Sequence, residues 1–257
     1  MAKAKYAPAG ASAHVVDQVD VSKLRLKGFA AAAHVPKSSY RDTSMVVVVP
    51  SRGPWLHRQW VESFNALMWP MNGKRAVLFA SGAEVGRAYS ECIQGVLAHP
   101  QLRDWRYVLT IEDDNLPPPD AAIRLLESIE AGPFDAVGGL YYTKGAFNMP
   151  QCYGDPYEFA RTGVLDFRPR DILSAVQQGH VVPCNGIAMG CSLYRMQLFR
   201  DIPGPWFVTC SDVYEEGARS MTQDLYFCER AARAGKRFAV DCRVHVGHAD
   251  WETGEIY

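Results

Sequence analysis

The run MVVVVP, Met45 to Pro50, constrains the fold more than any other stretch of this chain. Four successive valines present no polar alternate to water, so a strand built from them must be covered on both faces. Such strands belong to parallel sheets held between layers of helices. The segments that follow keep the matching rhythm. After the turn SRGP comes WLHRQWVESFNALM, in which Leu56, Trp60, Phe64 and Leu67 share one helical face. RAVLFA, 75–80, reads as a second buried strand, and a Gly-containing turn leads to a helix whose Val85, Tyr89, Cys92 and Val96 share a face. Tyr107 to Ile111 is a third strand; AAIRLLESIEA follows, stopped near Gly132 and capped by Asp120, and then FDAVGGLYY as another strand. The alternation predicts an α/β fold: a single domain with a Rossmann-like, mostly parallel sheet, helices on both sides and right-handed crossovers.

The remaining segments predict a looser organisation. Residues 1–43 are weakly patterned and read as an N-terminal arm, with a short strand near Leu24 to Leu26, ahead of one domain spanning 44–257. Residues 144–183, rich in Gly, Pro and Tyr, read as a long excursion over the carboxyl edge of the sheet. GIAMGCSLYR, 186–195, returns as a strand, PGPWF is a rigid turn, and CSDVYEEGARS is polar enough for a flap. MTQDLYFCERAARAG reads as a helix capped by Ser220 or Thr222 and ended by Gly235, and KRFAVDCRVHVGH as a closing strand with a tail.

Function enters at Arg106 to Pro119, RYVLTIEDDNLPPP. The buried strand stops in Glu112, Asp113, Asp114 and Asn115, and three prolines bar the ladder from continuing. Carboxylates crowded at the end of a buried strand repel one another, and a hard divalent cation, Mg²⁺ or Mn²⁺, relieves that conflict through oxygen ligands. Open α/β sheets bind their ligands at this edge. The structural alternative is an acidic turn that merely solvates the chain. Composition narrows the class further. A net charge of −1 carries no overall signature of nucleic-acid or membrane-surface binding, and no apolar run approaches a membrane span. Seven scattered cysteines without a CxxC pair predict reduced thiols and a cytoplasmic setting.

Taken in order, these motifs resemble the GT-A glycosyltransferases, over roughly 44–248. The carriers are MVVVVPSRG, GAEVGRAYSE, IEDDN as a variant acidic metal motif, GIAMGCSLYR, and TQDLYFCERAARAGKRFAVDCRVHVGH. Glu112 departs from the Asp more usual at the first acidic position. The resemblance implies a nucleoside diphosphate sugar donor, most often a UDP-sugar, and a Mn²⁺ or Mg²⁺ cofactor that neutralises the departing diphosphate. Asp114 becomes the leading metal ligand, with Glu112 and His248 beside it; His245 is the less favoured histidine, and because residues three apart in a strand face opposite sides, only one of the two should reach the metal. Pro50, Ser51, Arg52, Gly82, Arg87, Glu112, Asp113, Lys144, Gly190 and Trp206 are implied to face the donor. Asp224 is implied as the general base of an inverting transfer; its structural alternative is a carboxylate complementing a helix dipole.

The acceptor stays open at this level. Small stand-alone transferases of this kind include enzymes that modify bases in DNA, so a 5-hydroxymethylpyrimidine in DNA stands beside a saccharide or small molecule. A DNA acceptor calls for a basic groove, for which Arg25, Lys27, Lys37, Arg41, Arg58 and Arg161 are the available cations. Two other functions compete: a nucleotidyltransferase, for which SRGPW is a poor phosphate loop, and a non-catalytic domain, for which retention of Asp114 and Asp224 is unexpected.

Overall fold

The computed structural model describes residues 42–257 apart from positions 52, 72, 215 and 216. In chain order the first half is β1 (Met45–Ser51), α1 (Arg58–Ala66), β2 (Arg75–Ser81), α2 (Val85–Ala98), β3 (Tyr107–Ile111), β4 (Asn115–Leu116), α3 (Ala121–Ala131) and β5 (Ala136–Leu140). Then follow β6 (Cys152–Tyr153), α4 (Pro156–Thr162), α5 (Leu173–Gln178), β7 (Val181–Cys184), β8 (Gly186–Ile187), β9 (Cys191–Arg195) and α6 (Met196–Asp201). The chain ends with β10 (Cys210–Tyr214), β11 (Gly217–Met221), α7 (Gln223–Arg233), β12 (Phe238–His245) and β13 (Gly247–His248).

Seven strands form the central sheet in the order β2-β1-β3-β9-β5-β12-β7. β1 runs parallel to β2 and β3, and β12 parallel to β5, whereas β9 and the edge strand β7 run against their neighbours. The valine run explains the layering. Every residue of β1 is buried, and its side chains alternate between two cores. Val46 and Val48 join Tyr89, Ile93 and Val96 of α2 and Phe227 of α7 on one face. Met45, Val47 and Val49 join Trp60 of α1 and Leu125 and Ile129 of α3 on the other. Each fully buried Val or Leu contributes roughly 1.5–3 kcal/mol, so a strand serving both layers is the cheapest way to hold helices on both sides.

Some local expectations change. The excursion after Thr143 holds two short helices, α4 and α5, and returns as the edge strand β7. α4 begins with Asp155 accepting from the Tyr157 N–H, with Pro156 at the first turn and Gly163 in the left-handed region as its stop, all local signals. The expected flap is an antiparallel hairpin, β10 on β11. Asp120 occupies the N-cap position of α3 but makes no capping bond; its carboxylate takes the Arg124 guanidinium instead, at 3.0 Å. The arm and its strand near Leu24 lie outside the described residues.

Candidate active site

The acidic loop sits where β3 ends, and its backbone is gripped from behind. The Glu112 carbonyl accepts from the Trp60 indole at 2.8 Å, Asp113 from the Trp251 indole at 3.1 Å, and Asp114 from the Ala249 N–H at 2.7 Å. The Glu112 N–H donates to the Gly190 carbonyl at 3.0 Å. β4 then pairs antiparallel with β13, setting Asn115 opposite His248 and Leu116 opposite Gly247. With the carbonyls committed to α1 and to the C-terminal segment, the carboxylates turn into a cleft of about 640 Å³. Pro50, Ser51, Glu112, Asp113, Asp114, Lys144 and His248 all line it. Sequence placed these residues as far as 198 positions apart; the sheet edge brings them together.

Asp114 is the electrostatic centre. Its Oδ2 lies 2.6 Å from Lys144 Nζ and 3.7 Å from His248 Nε2. Burial pushes its carboxyl upward, but the His248 and Lys144 contacts outweigh that and hold it below the ordinary aspartate value. His248 Nδ1 lies 2.7 Å from the Tyr142 carbonyl oxygen, which can only accept. Nδ1 therefore carries a proton toward that carbonyl, which leaves Nε2 as the atom facing Asp114. Glu112 behaves oppositely. Burial first, then the charges of Asp114 and Asp224, push it up to about 8, although the Tyr89 hydroxyl donates to it at 3.3 Å.

A divalent cation fits this donor set in a limited way. Asp114 and His248 supply one oxygen and one nitrogen in a partly buried cleft, and the Tyr142 carbonyl orients the imidazole as second-shell partners of metal-bound histidines do. Among the described residues no group of three or more His, Cys, Asp or Glu side chains converges as a metal cage. Of the expected trio of Asp114, Glu112 and His248, the Asp114 and His248 side chains face each other, while the Glu112 carboxyl accepts from the Tyr89 hydroxyl at 3.3 Å; all three line the cleft. Mg²⁺ and Mn²⁺ sites with one or two protein ligands complete their shell with water and substrate phosphates.

Solved structures with this architecture decide the fold. The STIV protein A197 superposes with a TM-score of 0.54 at 15% identity, over 83% of this chain and 92% of its own. GalNAc-T7, in a crystal structure with UDP, GalNAc and Mn²⁺, superposes with a TM-score of 0.52 at 9% identity, over 80% of this chain and 43% of its own. The domain has the GT-A fold. No family model and no curated protein matches the sequence. At these identities the likeness is one of fold alone.

Within the GT-A domain the other expected residues take varied places. Asp224, in the first turn of α7, is buried, with its carboxyl pushed up by desolvation against the Thr222 and Leu225 hydrogen bonds; its neighbour Gln223 lines the cleft and Asp224 itself does not. Gly190 packs beneath the acidic loop, and Gly82, at a φ of +79°, makes the turn after β2. Arg87 does not reach the cleft: its guanidinium is exposed and paired with Glu91 at 2.7 Å. Trp206 is buried, its indole donating to the carbonyls of Phe199 and Ile202, and it lines a neighbouring pocket with Arg87 and Phe207 rather than the cleft of the acidic loop. His245 is exposed, whereas His248 turns inward. Arg52 lies outside the described residues, as do Arg25, Lys27, Lys37 and Arg41. Arg58 and Arg161 are exposed and pair with Glu62 and Glu158 on their own helices, forming no groove.

Several contributors escaped sequence reading. Trp60 and Trp251 pin the acidic loop, Tyr141 accepts the Gly190 N–H at 2.8 Å and packs edge-on to His248, and Tyr89 meets Glu112. Tyr89 and Trp60 read correctly as core residues, but nothing local marks their polar ends as aimed at a loop more than 20 positions away. Among the described residues no helix is long and apolar enough to cross a membrane.

Proposed function

We propose that this GT-A domain is a metal-dependent glycosyltransferase, moving a sugar from a nucleoside diphosphate sugar, with a UDP-sugar as first choice, to a hydroxyl acceptor. The observation that carries the reading is the meeting of Asp114 and His248 in a cleft at the carboxyl edge of the sheet. A cation held there by Asp114 and His248 supplies charge neutralisation for the diphosphate leaving group. Pro50 and Ser51, at the end of β1, offer a backbone edge to the nucleoside, and Lys144 offers an ammonium to the diphosphate. Asp224 takes the acceptor hydroxyl proton, its raised basicity matching that role, while the acceptor oxygen attacks the anomeric carbon with inversion.

Donor hydrolysis and transfer across a panel of nucleoside diphosphate sugars, with and without Mn²⁺, tests the reading. Acceptors should include saccharides and DNA carrying 5-hydroxymethylpyrimidine. Turnover should require a divalent cation and fall at least ~100-fold in Asp114→Ala. Undiminished turnover in chelator, or in that variant, contradicts it.

A further inference from the structure

Lys144 and His248 are both governed by the base of one loop. Tyr142 pairs with Pro150 as an isolated bridge, and the Tyr142 carbonyl fixes His248. The Thr143 N–H donates to the Met149 carbonyl at 2.8 Å, and the Met149 N–H returns to Thr143 Oγ1 at 2.9 Å. Lys144 is the next residue, one step beyond the last rung. Past it the tip is exposed from Gly145 to Met149, with Gly145 at φ +89° and Asn148 at φ +39°. The rungs hold the base of the loop in place, while among the described residues the Lys144 ammonium hydrogen-bonds to Asp114, at 2.6 Å.

The oxygen engaged by Lys144 is also the one nearest His248: Asp114 Oδ2 in both cases. An ammonium and a divalent cation sharing one carboxylate oxygen repel each other, so the two compete for it. A nucleoside diphosphate resolves the competition, because its oxygens accept the ammonium and also complete the metal shell.

Resting on the proposed function, we infer that Lys144 is a binding-order residue: it occupies Asp114 until a diphosphate draws it away, so cation and nucleotide enter together. Free cation then binds poorly by itself. By linkage the nucleotide gains from the cation the same factor that the cation gains from the nucleotide.

The test measures Mn²⁺ affinity by electron paramagnetic resonance on the full chain, with and without UDP. Wild type should bind Mn²⁺ weakly alone and at least ~10-fold more tightly with UDP. Lys144→Met should bind Mn²⁺ alone at least ~10-fold more tightly than wild type, with the UDP effect reduced toward one. Lys144→Arg, which keeps the charge, should behave as wild type. A Lys144→Met protein with wild-type or weaker affinity for Mn²⁺ alone overturns the inference while leaving the metal reading standing. Wild type and Lys144→Met both failing to bind Mn²⁺ in the presence of bound UDP overturns the inference and the metal reading together. Failure of UDP itself to bind overturns the donor assignment, and the inference with it.

Discussion

Gly190 offers the sharpest test of how the site is held. A Cβ built there would stand 2.4 Å from Asn115 Oδ1, 2.6 Å from Asn115 Cγ and 2.6 Å from Tyr141 Cζ. The first of these is roughly 1 Å short of ordinary contact, and burial leaves the neighbouring side chains little room to retreat. Asn115 is fully buried and held in the β4–β13 pair, and the Tyr141 hydroxyl is tied to the Gly190 N–H. Gly190→Ala must therefore move the acidic loop or lose that hydrogen bond. Overpacking costs about 1–3 kcal/mol, and the lost bond about 1 kcal/mol. In a domain of this size the sum corresponds to a fall in Tm on the order of 5–15 °C. The same shift displaces Asp114 relative to His248, and misplacement on the order of 1 Å at a reacting centre costs about 100-fold in turnover. Gly95 is the control: it lies exposed within α2, where an added Cβ meets nothing within 4 Å. Gly95→Ala should gain about 0.5–1 kcal/mol. Urea midpoints and donor turnover of both variants decide the matter. A Gly190→Ala protein with wild-type midpoint and turnover refutes the steric argument.

Three further outcomes follow from the same geometry. Trp251→Phe keeps the ring that stacks on His57 at 3.8 Å but removes the donor to the Asp113 carbonyl, and should cost about 1–2 kcal/mol and lower UDP affinity in titration calorimetry; unchanged affinity makes the indole bond incidental. Glu130 would be raised by burial, but hydrogen bonds from Tyr107 and Arg195 hold it below the ordinary value, so its stabilisation is present above the usual carboxylate range and is lost as pH falls through the depressed folded value. Glu130→Gln should thus be about 1–2 kcal/mol less stable at neutral pH, with the gap closing in strong acid; parallel urea midpoints from pH 7 to 3 count against it. Asp224→Asn should leave donor binding within about twofold while transfer slows by about 100-fold or more, whereas equal loss of both makes Asp224 structural.

How much of this was legible from sequence depends on the range of the signal. The valine run and the acidic residues ending β3 carry their meaning locally, in burial and like-charge repulsion, and the sheet and cleft appear where those forces require. Strand alternation showed that only one of His245 and His248 could face the cleft, but not which; the structure turns His248 inward and leaves His245 exposed. Arg87 was misplaced because a helical Arg beside a glycine reads alike on either face, and only the Glu91 pair shows which way it points. Trp206 was read toward the sugar pocket; its indole bonds to Phe199 and Ile202 and its edge-on contact with Phe199 are ones that no local period reveals. The β4–β13 pair joins two-residue strands about 130 positions apart, too short for any hydrophobic pattern, yet it is what carries His248 to Asp114.

The central claim is that Asp114 and His248 together hold a cation beside a nucleoside diphosphate. Anomalous diffraction at the manganese edge, from crystals grown with UDP and Mn²⁺, addresses it most directly. The account predicts one anomalous peak touching Asp114 and His248, next to diphosphate density. Clear UDP density with no peak there, or with the metal bound elsewhere, would contradict it.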